Sequence, residues 1–576
     1  MGGRCIMIDV SSRVVDQLVE DHFRGTVTAT WITGRDKASV AQISGDTCRG
    51  SLREGRDPAK HFIVGGGIAG LSAAVFLCRD AGVRGENIII FEQLSVSGGS
   101  LDGSGDAQSG YLVRGGRMFE PHFACTFDLL DSIPVMEGSE LSVKDDILAF
   151  NRAVPGSSNC RLVRDGKPAD DRYRLTLKPQ DIIDINRLIL RGEAKLGAQR
   201  IDDWFQPSFF KSNFWLMWAT MFSFQPWHSL VEMRRYLRRF IHLFPGFTRI
   251  SGILRTRYNQ YDSIIKPIET WLSDRGVQFR TRTCVNDVDI KGTLVERRIS
   301  SLTLEDGTSV QIRPEDQVYL TLGSMTGGSV QGDADRKPEI SDLAASSWRL
   351  WRTLAAKYDG LGHPEAFCSD TCKSAWNSFT VTMRAPDFFE FMEDFTNNRT
   401  GTGGLITFAD SGWTLSIVLF HQPHFRDQAG GTYTLWGYGL RGDLEGNLIQ
   451  KPMWEANGRE IIEELCWHLK LSERQKAWFD DAQIVVSRMP FITSQFMPRK
   501  YGDRPNVRPE GAKNFAVIGQ FCELPRDCVF TVEYSVRSAR TAVSSFFERV
   551  DPPPPVARTD LDPMVLLRAS RVLLGV

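Results

Sequence analysis

No apolar run in this sequence approaches the roughly 20 residues that a membrane-spanning helix needs. The most apolar stretch, residues 214–224, is about half that length. The N-terminus also lacks the apolar segment that marks a secretory signal peptide. These two absences favour a cytoplasmic protein, with peripheral contact to a membrane as the alternative.

The sequence has neither an excess of charge nor a framework of cysteines. Its 69 basic and 70 acidic residues leave a formal net charge of -1, which gives no reason to expect a nucleic-acid partner. Its 11 cysteines include no C-x-x-C pair, and the closest two, Cys368 and Cys372, lack the second pair of a zinc site. We therefore predict free thiols in a reducing compartment and no metal centre.

The chain is long enough for more than one hydrophobic core. With 576 residues, two or three domains are expected. Residues 1–57 are polar and weakly patterned, and we predict that they form a flexible N-terminal extension outside the fold. Consecutive prolines at 552–555 set off a C-terminal segment, residues 551–576.

A glycine-rich turn marks the start of a dinucleotide-binding βαβ unit. A short apolar strand begins at His61, and Gly65, Gly67 and Gly70 then complete the pattern G-x-G-x-x-G. Ala69 lies inside this motif, just before its last glycine. The motif stands directly after a strand and at the start of a helix pattern, which is the context that gives it meaning.

A second apolar strand, residues 88–91, follows the helix pattern and ends at Glu92. In such units the first glycine makes a tight turn, the second lets the backbone approach a pyrophosphate, and the third packs the helix against the strand. The pyrophosphate lies at the positive N-terminus of the helix. Glu92 is expected to accept hydrogen bonds from the ribose hydroxyls, and its charge disfavours a 2′-phosphate.

Two further glycine features favour FAD over a nicotinamide cofactor. Gly98 and Gly99 follow Glu92 closely, and this extension resembles that of flavoproteins with two dinucleotide-binding domains. A late apolar strand that ends at Gly519 is similar to the C-terminal return segment that closes the FAD cleft in that class. An NAD dehydrogenase needs neither feature, so FAD is the predicted cofactor.

Beyond Gly98 the sequence resembles the oleate hydratases, also called the myosin-cross-reactive antigen family. The resemblance covers residues 60–550 and is carried by strings of uncommon sequence. These strings are residues 99–103, 110–117, 125–134, 227–236, 258–261, 323–326, 422–425, 436–440 and 518–521. Family members add water across the cis-9 double bond of unsaturated fatty acids to give 10-hydroxy products, and they need FAD although the net reaction is not a redox change.

The resemblance implies an α/β fold, namely a Rossmann-like flavoprotein with two dinucleotide-binding domains, a β-rich substrate domain and helical additions. The implied FAD-binding domain is discontinuous and consists of residues 58–135, 259–345 and 505–550. The remaining residues, 136–258 and 346–504, are the implied substrate-binding regions. Besides the glycines, Ala69 and Glu92 named above, the predicted cofactor-binding residues are Arg114, Gly115, Gly116, Arg117, Gly323, Ser324, Gly519 and Phe521.

The implied reaction needs an acid to protonate one alkene carbon and a positioned water to attack the other. Tyr236 matches the family's proton-donating tyrosine and stands among four arginines, whose charges would favour a phenolate. The family's water-activating glutamate is missing, because the residue after Arg117 is Met118, and a thioether cannot act as a base. Our hypothesis is that Glu120, on the same face of an extended backbone, takes over in part.

Structural roles stay open for both residues. Tyr236 is alternatively a packed side chain on an amphipathic helix, and Glu120 is alternatively a salt-bridge residue. Main-chain carbonyls or flavin atoms are further candidates for holding the attacking water.

Gln260 and His424 match residues with which the family binds the fatty-acid carboxylate. The Thr and Asn that accompany them elsewhere in the family are Val418 and Phe420 here, so two hydrogen-bonding partners are replaced by apolar surface. We therefore expect weaker or differently placed carboxylate binding and a shifted substrate range. A packed histidine in a β-sheet is the alternative for His424.

Other patterns predict the elements around the site. Residues 178–197 are predicted to be helical, and residues 375–440 alternate β-branched and aromatic positions as strands do. The aromatic block 204–227 predicts either an acyl tunnel or plain core. Residues 564–576 predict an amphipathic helix that either docks on a bilayer to collect fatty acid or packs on the protein.

Three functions are compatible with these patterns. The leading hypothesis is an FAD-dependent hydro-lyase that acts on oleate or linoleate. Because the family's glutamate is missing, an FAD-dependent double-bond isomerase or oxidoreductase on the same scaffold stays open. The third hypothesis is a non-catalytic FAD- and lipid-binding protein. The sequence sets neither the preferred chain length nor the oligomeric state, and an oligomer is compatible with it.

Overall fold

The computed structural model describes residues 57–116, 118–340 and 345–575. The predicted N-terminal extension therefore lies, except for Asp57, outside the described residues. From Pro58 onward the chain forms one compact unit. The division of this unit into FAD-binding and substrate-binding parts stays a prediction.

The strands, in chain order, are β1 His61–Val64, β2 Ile88–Phe91, β3 Gly103–Asp106, β4 Gly110–Val113, β5 Leu162–Arg164, β6 Lys167–Pro168, β7 Gln278–Arg280, β8 Val285–Thr293, β9 Glu296–Leu304, β10 Ser309–Gln311, β11 Gln317–Thr321, β12 Val330–Gly332, β13 Trp376–Met383, β14 Leu405–Phe408, β15 Leu415–Leu419, β16 Tyr433–Gly439, β17 Gln483–Met489 and β18 Phe515–Ile518. The α-helices are α1 Ile68–Arg79, α2 Ala124–Asp131, α3 Val143–Ala153, α4 Pro179–Leu190, α5 Asn213–Phe222, α6 Leu230–Arg239, α7 Lys266–Ser273, α8 Ser346–Lys357, α9 Glu365–Cys368, α10 Thr371–Ser374, α11 Asp387–Thr396, α12 Gly458–Leu469, α13 Glu473–Lys476, α14 Val532–Ser544 and α15 Pro563–Leu574.

A five-stranded parallel sheet, in the order β18-β11-β1-β2-β7, forms the first layer of the fold. All four residues of β1, β2 and β18 are buried, as expected of strands covered on both faces. Helix α1 connects β1 to the parallel β2, and its residues 68–77 are all buried. The βαβ unit predicted from the glycine pattern is thus confirmed in its element order.

An eight-stranded sheet forms the second large layer, in the order β12-β17-β13-β16-β15-β14-β5-β6. Side chains alternate between its two faces. Leu435 joins the core under helices α11 and α12, whereas Trp436 and Tyr438 point to the other face. That second face bears the apolar cavity described below.

A short hairpin links the two layers. It consists of β3 and β4, and the backbone N–H groups of Tyr111 and Val113 donate to the hydroxyls of Thr382 and Thr380, at 3.0 and 3.1 Å. These bonds hold the end of β4, and the segment that follows it, against β13 of the large sheet.

The region 375–440, predicted to be sheet throughout, also contains the helix α11. This part of the prediction was wrong because α11 is rich in phenylalanine, which strands also favour. Its buried residues include Phe388, Phe389 and Met392, the spacing of one helix face, and Asp387 and Glu390 lie in its first turn. The helix predicted over 178–197 ends earlier, at Leu190.

The aromatic block contributes to the core and, through Met221, to the wall of the cavity described below. Phe214 and Trp218 stack at 5.6 Å and pack with Phe244 and Phe247 in the core. The nine cysteines within the described ranges are all free. Among the described residues, no helix combines the length and apolar character required to cross a membrane.

Candidate cofactor cleft and adjoining apolar cavity

A cleft opens where the strands of the parallel sheet end. It is lined by Val64, Phe91, Thr321 and Ile518, the last residues of β1, β2, β11 and β18. Carboxyl ends of parallel strands are where open α/β sheets bind their ligands.

The glycines of the predicted fingerprint are required by the geometry of this turn. Gly65 has φ +103°, and a Cβ there would lie 1.9 Å from the Oγ1 of Thr321. A Cβ on Gly70 would lie 2.0 Å from the carbonyl oxygen of Gly65, so Gly70 lets α1 approach the turn closely. Gly67 pairs with Gly98, and the nearest atom to a Cβ on Gly67 would be 4.0 Å away, which leaves its cleft side open.

The N-terminus of α1 faces this cleft. Its N-cap, Gly67, makes no side-chain capping bond, and Ile68 and Ala69 of the first turn line the cleft. Backbone N–H groups at a helix N-terminus without a side-chain cap attract anions, and a pyrophosphate is the ligand that this position accommodates in Rossmann folds.

Glu92 lines the cleft beside the helix, as predicted. Its Oε2 accepts from the backbone N–H of Gly66, and its Oε1 accepts from that of Leu94, both at 2.8 Å. Burial raises the pKa of Glu92, while these N–H donors act in the opposite direction. The two bonds fix the orientation of the carboxylate and leave each oxygen with further capacity to accept.

The other predicted cofactor residues fall into three groups. Those that line the cleft with Gly65, Gly67, Ala69 and Glu92 are Gly98, Gly99, Arg114, Gly323, Ser324, Gly519 and Phe521. Gly70 packs behind the turn, Gly115 is buried, and Gly116 lines the second cavity instead. Arg117 lies outside the described residues. Cleft-lining residues that the sequence did not reveal are Gln93, Thr283, Cys284, Ser346 and Ser535.

An apolar cavity adjoins this cleft. Its wall brings together Met118, Gln260 and His424, and also Val418 and Phe420. The remaining lining residues are mostly aromatic or aliphatic, and they include Phe150, Met221, Trp376, Leu405, Leu419, Trp436, Tyr438 and Phe530. A lining of this kind is typical of sites for apolar small molecules.

Two chain segments join the cleft to the cavity. Arg114 lines the cleft and pairs with Asp102 at 2.8 Å, whereas Gly116 and Met118 line the cavity. On the other side, Gln520 lines the cleft and its Oε1 accepts from the backbone N–H of the cavity residue Phe530 at 2.5 Å.

His424 is held as a neutral ring. Burial, and to a lesser extent the nearby His421, lowers the pKa of His424 to about 3. Its ring stacks on Phe420 with the ring centroids 3.6 Å apart. His424 therefore supplies a hydrogen-bonding group but no positive charge at neutral pH.

Basic residues that the sequence patterns did not indicate also line the cavity. Arg255, Arg257 and His421 all line the cavity. The only signal available in the sequence was that the two arginines directly precede the string 258–261 that carries the family resemblance.

Tyr236 lies one layer behind the cavity wall. Its ring packs against Phe222, Phe224 and Phe496, with centroids 5.0 to 5.6 Å away. Its hydroxyl donates to the carbonyl oxygen of Val529 at 2.5 Å, and the next residue, Phe530, lines the cavity. Tyr236 itself is not among the residues that line the cavity.

The structure places Glu120 apart from Met118. Glu120 is buried in a cluster with Arg239, His122 and His242, and its Oε1 lies 2.6 Å from the Arg239 guanidinium. Burial raises the pKa of Glu120, but His242, Arg239 and His122 more than offset it and bring the pKa to about 2. A carboxylate held this way is a weak base, so the hypothesis that it replaces the missing glutamate has no support in this geometry.

The same cluster contains the ligand types of a metal site. Ligand atoms of Glu120, His122 and His242 all lie within 4.8 Å of one another. The Arg239 guanidinium, however, already neutralises the carboxylate. We therefore interpret the cluster as a buried ion pair rather than as a metal centre.

The parallel sheet, the uncapped helix and the glycine cradle define a Rossmann-type dinucleotide-binding protein, as predicted. The cyclohexylamine oxidase of Brevibacterium oxydans has a similar fold, with a TM-score of 0.50, 14% identity, and coverage of 85% of this chain and 99% of that one. The chain belongs to the MCRA family, whose sequence profile matches residues 59–544. The resemblance that the motifs carried is thereby confirmed.

Two curated relatives cover nearly the same length. The chain is 41% identical over 507 residues to the oleate hydratase of Streptococcus pyogenes serotype M49, and the alignment covers 86% of each chain. It is 29% identical over 558 residues to the linoleate hydratase of Lactiplantibacillus plantarum, and this alignment covers 89% of the present chain and 98% of the relative.

Proposed function

We propose that this chain is an FAD-dependent hydratase that adds water to the cis double bond of unsaturated fatty acids such as oleate and linoleate. The observation that carries the proposal is an apolar cavity built against a dinucleotide cleft, in a chain 41% identical to an oleate hydratase. The tail of a fatty acid is long and apolar and matches a wall of aromatic and aliphatic side chains.

The residues of the cleft fit FAD. The first turn of α1 would hold the pyrophosphate, Glu92 would accept from the ribose hydroxyls, and Gly98 and Gly99 allow the flavin side to approach the backbone. When bound, the flavin shapes the site and its electrostatics, because the net addition of water transfers no electrons.

Hydration adds a proton to one alkene carbon and the hydroxyl group of a water to the other, and the second proton of that water restores the acid that donated the first. Tyr236 is the proposed proton donor, and donation requires that the 529–530 segment between its hydroxyl and the cavity opens. Met118 offers no carboxylate for the water. The indole N–H groups of Trp376 and Trp436, two cavity residues, have no hydrogen-bond partner among the described residues, and they are donors that can orient this water.

The product mass tests the proposal directly. Purified protein is incubated with reduced FAD and with oleate or linoleate, and the lipid products are analysed by mass spectrometry. We expect a product that is heavier than the substrate by one water. A protein sample without fatty acid and a fatty-acid sample without protein are the controls.

The same measurement identifies the competing functions. An unchanged mass with a displaced double bond would show that the protein is an isomerase instead. Isomerisation is the second candidate because Met118 occupies the position of the family's glutamate. Binding of FAD and fatty acid without any product would replace it by a non-catalytic lipid-binding role.

Glu120→Gln should affect stability rather than catalysis. The substitution removes the charge opposite Arg239, which we expect to cost about 1–3 kcal/mol of unfolding free energy. The hydration rate of the folded variant should stay within about threefold of the wild type, since the carboxylate is a weak base outside the cavity wall. Thermal unfolding measures the change in stability, and product formation at equal concentrations of folded protein measures the hydration rate.

The pH dependence provides a second check on Glu120. Because its folded pKa of about 2 lies below its ordinary value of 4.5, the charged carboxylate stabilises the fold above pH 4.5, and this contribution is lost as the pH falls towards 2. The difference in unfolding free energy between the wild type and Glu120→Gln should therefore decrease as the pH falls from 4.5 towards 2. A large loss of hydration without any loss of stability would instead restore the role of a base.

We also propose that the C-terminal helix makes peripheral contact with membranes. Helix α15 buries Ala569 and Leu573 against the protein. Its outward side exposes apolar and basic residues, namely Met564, Leu566, Leu567, Arg568, Arg571 and Leu574. Apolar side chains beside cationic ones are typical of helices that lie on anionic lipid surfaces.

Truncation after Pro555 should abolish co-sedimentation with anionic vesicles of phosphatidylglycerol. Two arginines near an anionic surface contribute about 1 kcal/mol each, so wild-type binding should fall strongly when neutral phosphatidylcholine is used. Since truncation also removes the ion pair of Asp560 with Arg238, the double variant Met564→Ser, Leu567→Ser serves as a milder test. Equal sedimentation of wild type, truncation and double variant would exclude this contact.

A further inference from the structure

One cation in the cavity wall has no opposing charge. Arg255 lies on the wall and, among the residues that the structure describes, it has no carboxylate within ion-pair distance. Burial lowers its pKa to about 10, so the guanidinium stays charged at neutral pH. An unpaired buried charge is costly unless a ligand compensates it.

Hydrogen bonds hold the Arg255 guanidinium in a defined position. The Nη2 of Arg255 donates to the carbonyl oxygen of Val154 at 2.7 Å, and its backbone N–H donates to Asn151 at 3.0 Å. Its Nη1 is buried and makes no hydrogen bond within the part of the chain that the structure describes. A Cβ on Gly403, another wall residue, would lie 2.6 Å from the Cδ of Arg255, so this glycine makes room for the arginine.

Two further basic groups accompany Arg255. Its guanidinium lies 5.5 Å from the ring centroid of Phe150, as does that of Arg257, and His421 meets the same ring edge-on at 5.1 Å. Arg257 is paired with Asp146 at 3.2 Å. Burial, and then the charges of Arg257 and Arg255, lowers the pKa of His421. Among the described residues, its buried Nδ1 has no hydrogen-bond partner.

The apolar residues of the cavity wall also favour Arg255 as the residue that binds an anion. Val418 and Phe420 present apolar surface to the cavity, and Phe420 covers one face of the neutral His424. None of these three supplies a charge to an anion. The uncompensated charge of the wall lies instead beside Phe150, at Arg255.

We propose that Arg255, with Arg257 and His421 beside it, binds the carboxylate of the fatty acid and so sets the end of the cavity at which the head group lies. The proposal rests on the proposed function, because it takes the ligand to be an amphiphile with one anionic end and an apolar tail. Gln260 then contributes an additional polar contact, and its Nε2 already donates to the wall residue Thr256 at 3.2 Å.

A comparison of charged and uncharged ligands tests the assignment. Oleate and methyl oleate share one tail and differ in charge, and their binding can be followed by the fluorescence of Trp376 and Trp436 in the cavity wall. We expect Arg255→Met to weaken oleate binding about 10- to 100-fold, the range for a hydrogen bond between charged groups, and to change methyl oleate binding by less than about twofold. Arg255→Lys keeps the charge and should recover most of the affinity.

Arg249→Met is the matched control, because Arg249 is exposed and does not line the cavity. Unchanged oleate binding by Arg255→Met, or an equal loss for oleate and methyl oleate, would overturn the assignment. Oleate binding without hydration would refute the proposed function while leaving the carboxylate site supported by the binding data. If the wild type binds neither ligand, both proposals are wrong.

Discussion

The substitution Gly70→Val should yield a protein that purifies without FAD. A Cβ at this position would lie 2.0 Å from the carbonyl oxygen of Gly65 and 3.0 Å from a methyl group of Ile63. Relief of these overlaps requires α1 to move away from β1, which displaces the first turn that holds the pyrophosphate. Overpacking of this kind costs about 1–3 kcal/mol or more, so FAD affinity should fall about 100-fold.

Flavin absorbance of the purified protein and its thermal shift on addition of FAD measure this loss. Gly192→Val is the control, because Gly192 has ordinary extended backbone angles and no atom within 4 Å of a built Cβ. Far-UV circular dichroism establishes that the remainder of each variant is folded. Wild-type flavin content in Gly70→Val would show that the turn does not form the cofactor site.

Tyr236→Phe should lower the hydration rate constant about 100- to 10,000-fold, the usual contribution of a positioned acid or base. Phenylalanine keeps the packing against Phe222, Phe224 and Phe496, and it removes the hydroxyl together with its bond to Val529. Substrate binding should therefore change little. Steady-state kinetics with oleate separate the rate constant from KM.

Tyr319→Phe provides a matched control for the loss of a buried tyrosine hydroxyl. Tyr319 is fully buried in β11, and its hydroxyl donates to Gln317 at 2.8 Å, away from the cavity wall. Its phenylalanine variant should lose stability to a similar degree, yet hydrate oleate at nearly the wild-type rate. Similar rate losses in both variants would mean that Tyr236 acts only through packing.

The cofactor cleft was largely predictable because its determinants are local. The turn from Gly65 to Gly70 and the acid that ends the second strand are encoded within about thirty residues, and their spacing follows from one βαβ unit. The last strand before Gly519 was recognisable for a similar reason. It is a short buried run that ends in glycine.

The reacting end of the site was not predictable in the same way, because its partners are distant in sequence. Glu120 appeared as an alternative base from its nearness to Met118, but its charge is fixed by Arg239, more than one hundred residues away. Arg255 could not be identified from the sequence, because its lack of a carboxylate partner among the described residues is a product of the fold. Sequence patterns carry periodicity and spacing, whereas charge compensation is a property of the packed core.

The two segments that border both the cofactor cleft and the apolar cavity imply thermodynamic linkage between the ligands of these two sites. A ligand that immobilises Arg114 in the cleft also restricts Gly116 and Met118 in the cavity wall, and the bond from Phe530 to Gln520 couples the opposite side. Coupling free energies are reciprocal, so whatever factor FAD applies to fatty-acid affinity, the fatty acid applies to FAD. If that factor exceeds one, a low flavin concentration would leave the protein loaded with its cofactor chiefly where the fatty acid is abundant.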